Sequence, residues 1–505
     1  MSAGLPGIVV CSISLLVGWV GLWPIRQRLG AWGYHLFAFP VGLLVWCVVA
    51  AVAVALKRPF DAWSAGAGIA IFLAALWVLA KTVARADGQG KCVPPWSYFA
   101  MGGAFALCEI LVAVGRFTVA SADGWGAYWP YAVHMSRTGE LWVKTMTDRG
   151  LAPVSMGAAD ILFGGRWAYV EYQMIAVSVL AAVWWLVGRD AIPRVGRSLG
   201  IAIGGGAAAI LAVNATFVFN AFYVHSHAAS ALYLLLSLGA LRMAVEPDTG
   251  RATPSAAAWL MVGGLGTAGF ALSRPDGLVF SALPIAVAIA LLTDAQWDGA
   301  SARAYFTPML TVLYVVFAAA FLRLGLWSGH KLTGPVALVA LVLVSVSAIA
   351  PRLIRRVGQR YPLGGERLLP VALEAVSLVL VIAFVLKWDK LSETVMNARL
   401  NLFGGQGNWG DTWYWFVGLL VLSVLTADAF RSRTWTRSLF LTILLFVVLL
   451  FDVNMSRGGR PGWGDSLNRF AFHVVPVIVW YLGLVVARIV GDMVTRWRVG
   501  PREAS

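Results

Sequence analysis

The chain has 505 residues, of which 60% are hydrophobic and only 12% are charged. One soluble core cannot bury that much apolar surface, so the composition excludes an ordinary soluble domain and indicates a polytopic membrane protein. A formal net charge of +15 is compatible with nucleic-acid binding, but the cations follow the loops between hydrophobic segments. The charge therefore indicates membrane topology, and we expect no nucleic-acid partner.

Hydrophobic stretches of about 16 to 23 residues recur along the chain and predict an all-α protein with about 15 transmembrane helices. The start, MSAGLPGIVV, lacks a basic segment, so we expect no cleaved signal peptide. The predicted spans lie near residues 6–23, 35–56, 66–85, 97–119, 166–187, 198–215, 222–243, 256–273, 277–293, 305–325, 334–350, 368–386, 412–428, 438–453 and 470–490.

Basic residues are concentrated in alternate loops, such as IRQR, RLIRRVGQRYPLGGER and the arginines of the C-terminal end. If the N-terminus is outside, the positive-inside rule places these loops and the C-terminus in the cytoplasm. Three long segments then lie outside, at residues 120–165, 387–411 and 454–469. Function usually resides in such loops. The Ala/Gly/Val-rich composition is typical of a high-GC bacterium, so we expect a bacterial plasma membrane protein with an extracytoplasmic active site.

The first external segment, SADGWGAYWPYAVHMSRTGEL, begins with a single acid, Asp123. Tyr131, Ala132, Met135 and Gly139 follow at helical spacing and predict a helix along the outer membrane surface. A carboxylate at this position can serve catalysis. The alternative is that Asp123 only caps the helix.

The segment ALSRPDGLVF places Arg274 and Asp276 in a tight turn between two apolar runs at the predicted outer face. An arginine near lipid depth is costly and tends to have a partner or a role in a ligand pathway. The alternative is an arginine that extends to the interface and pairs with Asp276.

The last external segment enters the final helix as GWGDSLNRFAFH. Asp465, Arg469 and His473 are four residues apart and so share one helical stripe. The guanidinium fork of an arginine matches phosphate oxygens, so this stripe is a candidate phosphate site. The alternative is a surface ion pair between Asp465 and Arg469.

The segment NAFYVHSHAAS carries His225 and His227. Two residues correspond to about 200° around a helix, so these histidines cannot grip one metal ion together and we predict no metal site here. His227 shares a face with Asn220 and Tyr223 near the predicted outer end of its helix. Substrate contact and a satisfied interfacial histidine are the two interpretations.

The order of these motifs resembles the GT-C superfamily of integral-membrane glycosyltransferases, in particular bacterial members that use polyprenyl-phosphate sugars, such as the actinobacterial arabinofuranosyltransferases. The Asp123 segment is similar to that family's first-loop pattern, SRPDG to its Arg-Pro-Glu-Gly, and GWGDSLNR to its Gly-Gly-Asp-Trp with a following arginine. The similarity runs from about residue 97 to residue 490. It implies a GT-C-like catalytic module at residues 96–505, preceded by a three-helix membrane module at residues 1–95.

The resemblance implies inverting transfer of a sugar from a polyprenyl-phosphate donor to a glycan, glycolipid or protein acceptor of the cell envelope. Asp123 would accept the proton of the attacking hydroxyl, and Arg469 and Arg274 would neutralise the leaving phosphate. The substrate-binding set would be completed by His227, His473, Tyr131, Asp276 and Asp465. Gly124 stands where many relatives carry a second acid, so the use of a divalent cation stays open and no other cofactor is expected. The main alternative is a multi-pass transporter or a flippase for lipid-linked sugars, and a ligase that uses a lipid pyrophosphate is a close variant.

Overall fold

The computed structural model describes residues 4–86, 92–115, 128–140, 150–166, 169–222, 226–246, 252–274, 276–292, 299–324, 333–353, 356, 382, 385–425, 435–457, 461–462 and 466–499. These residues are almost entirely helical, and one isolated antiparallel bridge joins Val245 to Ala252. The described chain forms two compact units. Unit 1 comprises Met1–Val177 and Ala221–Ala372, and unit 2 comprises Ser178–Asn220 and Leu373–Ser505.

The helices follow one another in the order α1 (Leu5–Leu22), α2 (Arg26–Leu56), α3 (Ala62–Ala86), α4 (Trp96–Gly115), α5 (Trp129–Thr138), α6 (Leu151–Leu162), α7 (Val170–Val195), α8 (Arg197–Val213), α9 (Ala215–Phe222) and α10 (His227–Ala244). They continue with α11 (Ala256–Ser273), α12 (Gly277–Phe280), α13 (Ala282–Leu292), α14 (Gly299–Leu324), α15 (Thr333–Ser347), α16 (Trp388–Ala398), α17 (Thr412–Leu425), α18 (Trp435–Arg457) and α19 (Ser466–Val499). A short 3₁₀ turn, Trp23–Ile25, separates α1 from α2, and a π-helical turn, Arg399–Phe403, follows α16.

Eight helical stretches of the described chain are long and apolar enough to cross a membrane, and a ninth is reached if α8 and α9, bent by 74°, form one span. The predicted number of about 15 is therefore not confirmed. Two predicted spans correspond to shorter apolar helices among the described residues, at Gly277–Leu292 and Thr412–Leu425. The predicted spans at 6–23 and 35–56 belong to one apolar stretch, Leu5–Leu56. The predicted span at 368–386 lies almost wholly outside the described residues.

The core of unit 1 surrounds α11, whose residues are all buried. Small residues let the helices approach closely: a Cβ added at Gly264 would lie 2.1 Å from the carbonyl oxygen of Tyr305 in α14. Hydrogen bonds also link these helices. The hydroxyl oxygens of Ser237 and Thr267 lie 2.7 Å apart, as do those of Thr267 and Tyr305, so one chain of hydroxyls connects α10, α11 and α14.

The core of unit 2 is α19, on which α8, α17 and α18 pack. Polar side chains fix these contacts within an otherwise apolar environment. The Nε1 of Trp480 donates to Asp190 at 3.2 Å, and the hydroxyls of Tyr481 and Ser423 share a hydrogen bond of 2.8 Å. These two hydrogen bonds connect α19 to α7 and to α17.

Candidate functional site

Arg274 lies at the end of the buried helix α11. Its backbone is extended, with φ −149° and ψ 159°, so α11 ends at Ser273. The next residue in the sequence is Pro275, and a residue before proline avoids helical backbone angles. Arg274 is buried, so its guanidinium must find polar partners inside the protein.

Those partners lie at the beginnings of two different helices, α10 and α12. Arg274 Nε donates to Asp276 Oδ1 at 2.9 Å. Arg274 Nη1 donates to His227 Nε2 at 2.9 Å and to Ser226 Oγ at 3.3 Å. Because the guanidinium donates, the facing ring nitrogen of His227 accepts, and the imidazole is not protonated at that atom. The ion pair that the sequence suggested as the alternative for Arg274 is present, but the arginine is buried and does not extend to the surface.

Two residues of the predicted external segment 120–165 lie close to Arg274 and its partners. Tyr128, directly before α5, shares a hydrogen bond of 3.1 Å with Ser226. Gly150, directly before α6, has φ +82°, and a Cβ there would lie 2.5 Å from the carbonyl oxygen of Ser273. Only glycine fits both this backbone angle and this close approach. We call Tyr128, Ser226, His227, Arg274 and Asp276 the arginine cluster.

The arginine cluster combines one fixed positive charge with one carboxylate. The second carboxylate oxygen of Asp276 is buried and accepts no hydrogen bond from the described residues. The side chains of Arg274 and Asp276 are only 7% and 14% exposed, so their interaction is weakly screened by solvent. A buried guanidinium beside an imidazole and a hydroxyl can bind an anion with several oxygens.

Not every predicted site residue can be placed. Asp123 and Asp465 lie outside the described residues. Tyr131 is half-buried on α5, the helix that the spacing predicted, while Ala132 and Met135 on the same helix are buried. The structure thus brings together His227, Arg274 and Asp276 from the predicted set.

Arg469 and His473 belong to unit 2. They are four residues apart on α19 and therefore share a face, as the spacing predicted. His473 is buried, and its ring lies against Phe470 and Phe446, with centroid distances of 5.5 Å and 6.1 Å. Within the described residues, no group of three or more His, Cys, Asp and Glu side chains is placed to hold a metal ion.

Two of the segments predicted to be external, 387–411 and 454–469, are joined in unit 2 by asparagines that the sequence analysis did not single out. Trp409 Nε1 donates to Asn468 Oδ1 at 2.8 Å, and the backbone N–H of Gly462 donates to Asn401 Oδ1 at 2.8 Å. These contacts hold the loop of Trp409 beside the residue that precedes Arg469. Tyr128, Ser226 and Gly150 were also missed; only the position of Ser226 beside His227 was available as a signal.

No family model matches this sequence, and no curated protein matches it in sequence. The fold is similar to solved structures of the archaeal oligosaccharyltransferase from Archaeoglobus fulgidus. The complex of this enzyme, AglB, with an inhibitory peptide and a dolichol-phosphate is 13% identical, with a TM-score of 0.47 over 80% of this chain. The apo form is 15% identical with a TM-score of 0.46, again over 80% of this chain. The complex with zinc and sulfate is 17% identical with a TM-score of 0.38, over 70% of this chain.

This chain spans about half the length of those oligosaccharyltransferases, at 52% of the first two structures and 43% of the third. None of the three is an arabinofuranosyltransferase, so that finer part of the sequence resemblance stays a prediction.

Proposed function

We propose that this chain is a membrane glycosyltransferase that moves a sugar from a polyprenyl-phosphate donor to an acceptor of the cell envelope, on the outer face of the bacterial plasma membrane. The observation that carries the proposal is the arginine cluster. It lies at the end of the apolar helix α11. Tyr128, which contacts Ser226, and Gly150, which contacts this helix end, belong to the same predicted external segment as Asp123. In the proposal this helix end lies at the outer membrane edge, where a lipid-anchored phosphate and a water-borne acceptor can meet.

The chemistry of the arginine cluster supports binding of the donor phosphate. A charged arginine inside an apolar protein is costly, and an ionisable residue in such a place is by default a candidate for a functional role. Guanidinium N–H groups bind phosphate oxygens in pairs, and His227 adds a neutral donor or acceptor beside them. Negative charge grows on the phosphate as the sugar leaves, so a fixed guanidinium stabilises the transition state more than the ground state.

The reaction is a direct displacement with inversion. The acceptor hydroxyl oxygen attacks the anomeric carbon, the bond from that carbon to the phosphate oxygen breaks, and polyprenyl phosphate leaves. In the proposal Asp123 accepts the hydroxyl proton as the general base. Tyr131, Asp465, Arg469 and His473 complete the proposed substrate-binding set.

The test uses the purified full-length protein with a panel of polyprenyl-phosphoryl sugars and measures free polyprenyl phosphate. We expect release with at least one donor. Asp123→Asn should remove release while leaving donor binding within about twofold, since the amide keeps the size but loses the base. Full release by Asp123→Asn would contradict the assigned base, and no release with any donor would contradict the enzyme.

A carrier for lipid-linked sugars is the second candidate, because one observation favours it. The helices α8 and α9 form a bent pair with an angle of 74°, and broken helices are common in transporters. A flipping assay in proteoliposomes separates the two functions. Acceptor-independent movement of a fluorescent lipid-linked sugar between leaflets, without release of lipid phosphate, would favour the carrier.

A further inference from the structure

A deep groove lies within unit 2, between α8 and α17, with α19 as its floor. Its volume is about 660 Å³, within the range of about 300–1,000 Å³ that ligand sites occupy. Its walls are apolar and include Ile203, Ile210, Trp415, Phe416, Val479 and Leu482. The floor residues Val479 and Leu482 are buried, whereas the rim residues Ile210 and Trp415 are 53% and 70% exposed. The groove is therefore open along one side.

The packing of the unit explains the groove. Both α8 and α17 pack on α19, and Gly206 on α8 faces open space, since a Cβ there would meet no atom within 4 Å. At one end, Asn214 Nδ2 donates to Thr412 Oγ1 at 2.8 Å and to the carbonyl oxygen of Trp409 at 3.3 Å. These two bonds close the groove where α8 ends and α17 begins.

The closed end carries the polar groups of the groove. Asp411 is exposed and makes no ion pair with any residue in the part of the chain that is described. The oxygen of Thr412 accepts from Asn214, so its own hydroxyl hydrogen can be donated to a ligand. None of the described residues that line the groove is Lys, Arg or His. The closed end therefore has a negative charge, and the described lining of the groove contains no cation.

We propose that this groove binds a membrane phospholipid whose head group carries an ammonium, as in phosphatidylethanolamine. One acyl chain would lie between α8 and α17, the ammonium would pair with Asp411, and Thr412 would donate to a head-group oxygen. Trp415 suits the level of the head groups, where indole rings are enriched. A polyprenyl phosphate is disfavoured here, because it would bring a phosphate to Asp411 without an ammonium of its own, and the described lining supplies no cation. The site does not depend on the proposed transferase activity.

The first test measures lipid binding by native mass spectrometry of the full-length protein, with phosphatidylethanolamine, phosphatidylglycerol and polyprenyl phosphate in competition. We expect phosphatidylethanolamine to bind best. Asp411→Asn should weaken it about two- to fivefold and leave phosphatidylglycerol unchanged or stronger, as an exposed ion pair predicts. A preference for polyprenyl phosphate, or no effect of Asp411→Asn, would overturn the proposal.

The second test locates the lipid. A Cβ at Gly206 would meet no atom within 4 Å, so Gly206→Leu places a larger side chain in the groove. It should weaken binding by about tenfold or more, because the side chain overfills the space left for the lipid chain. Gly418→Leu is the matched control: Gly418 lies on α17, outside the groove lining, and its Cβ would also meet no atom within 4 Å. Equal binding by both variants would place the lipid elsewhere and reject the groove. Because the readout is binding, failure here is distinct from failure of sugar transfer.

Discussion

Arg274 shows how one buried charge can serve structure and chemistry together. Its ion pair with Asp276 at 2.9 Å holds the turn after α11, while its Nη1 reaches His227 and Ser226 at the start of α10. A phosphate would have to share the guanidinium with Asp276. Stability and the proposed phosphate binding would therefore depend on the same side chain in different ways, and two variants can separate them.

Arg274→Gln should destabilise the protein by about 3 kcal/mol, since loss of one partner leaves the other charge of a largely buried pair uncompensated. The double variant Arg274→Gln with Asp276→Asn should recover most of that loss, because no buried charge remains. If Arg274 binds the donor phosphate, sugar transfer should stay reduced by about 100-fold or more in both variants. Thermal unfolding in detergent and donor turnover measure the two effects. Recovery of transfer in the double variant would make Arg274 structural only.

Tyr128→Phe tests the link between the first external segment and the arginine cluster. The change removes the hydrogen bond of 3.1 Å to Ser226 and leaves the ring in place, so we expect a loss of about 1 kcal/mol in stability. Ser226→Ala should cost a similar amount. The double variant should lose no more than either single variant if the two hydroxyls act mainly on each other. Additive losses would show that each has a separate main partner.

At the scale of the helix, α3 begins with a reciprocal cap. The backbone N–H of Ser64 donates to Asp61 Oδ1 at 2.8 Å, and the backbone N–H of Asp61 donates to Ser64 Oγ at 2.9 Å. The N–H of Ser64 lowers the pKa of the Asp61 carboxyl below its ordinary value. The carboxylate form is thus the one that the folded helix stabilises.

Asp61→Ala should reduce stability by about 1 kcal/mol at neutral pH, the usual value for loss of an N-cap. Because the pKa of Asp61 is lowered by folding, its contribution is present above the unfolded pKa of about 4 and is lost as the pH falls through the lower folded value. The difference between wild type and Asp61→Ala should therefore shrink below about pH 4. Thermal unfolding from pH 3 to pH 7 checks this; a constant difference would assign the loss to something other than the ionised cap.

Helix contacts in unit 1 depend on glycine where backbones meet. A Cβ at Gly264 would lie 2.1 Å from the carbonyl oxygen of Tyr305, so Gly264→Ala must push α11 and α14 apart. We expect a loss of about 1–3 kcal/mol, the usual cost of overpacking. Gly66→Ala on α3 is the control, because its Cβ meets no atom within 4 Å and alanine favours a helix by about 0.5–1 kcal/mol. Opposite signs in thermal unfolding are expected, and a neutral Gly264→Ala would show that the helices can separate freely.

For the molecule as a whole, the positive-inside rule predicts an orientation in the membrane that a natural cysteine can test. Cys92 is exposed between α3 and α4, whereas Cys11 and Cys47 are buried. The positive-inside rule places Cys92 on the cytoplasmic side and Ser392 on the outside. In intact cells an impermeant maleimide should label Ser392→Cys but not Cys92, and permeabilised cells should show both. Labelling of Cys92 in intact cells would reverse the orientation and place the arginine cluster in an unsuitable compartment.

Much of the secondary structure could be predicted from composition alone. The predicted span at 256–273 coincides with α11, and the spacing after Asp123 predicted α5. The number of membrane spans could not be predicted, because a hydropathy window does not show where an apolar segment bends. The pair α8 and α9 shows this: the break at Asn214 turns the chain by 74° within one hydrophobic segment.

The sequence by itself determined that this is a helical membrane protein with polar motifs at helix ends, because hydrophobicity and turn residues act locally along the chain. It also marked His227, Arg274 and Asp276 as separate candidates. Only the tertiary structure decided that His227 and Arg274 are in contact and that Gly150 lies against the backbone at the end of α11. It also decided that a groove with an acidic end lies between α8 and α17. Such contacts join residues far apart in the chain, and they depend on how whole helices pack, which local composition does not specify.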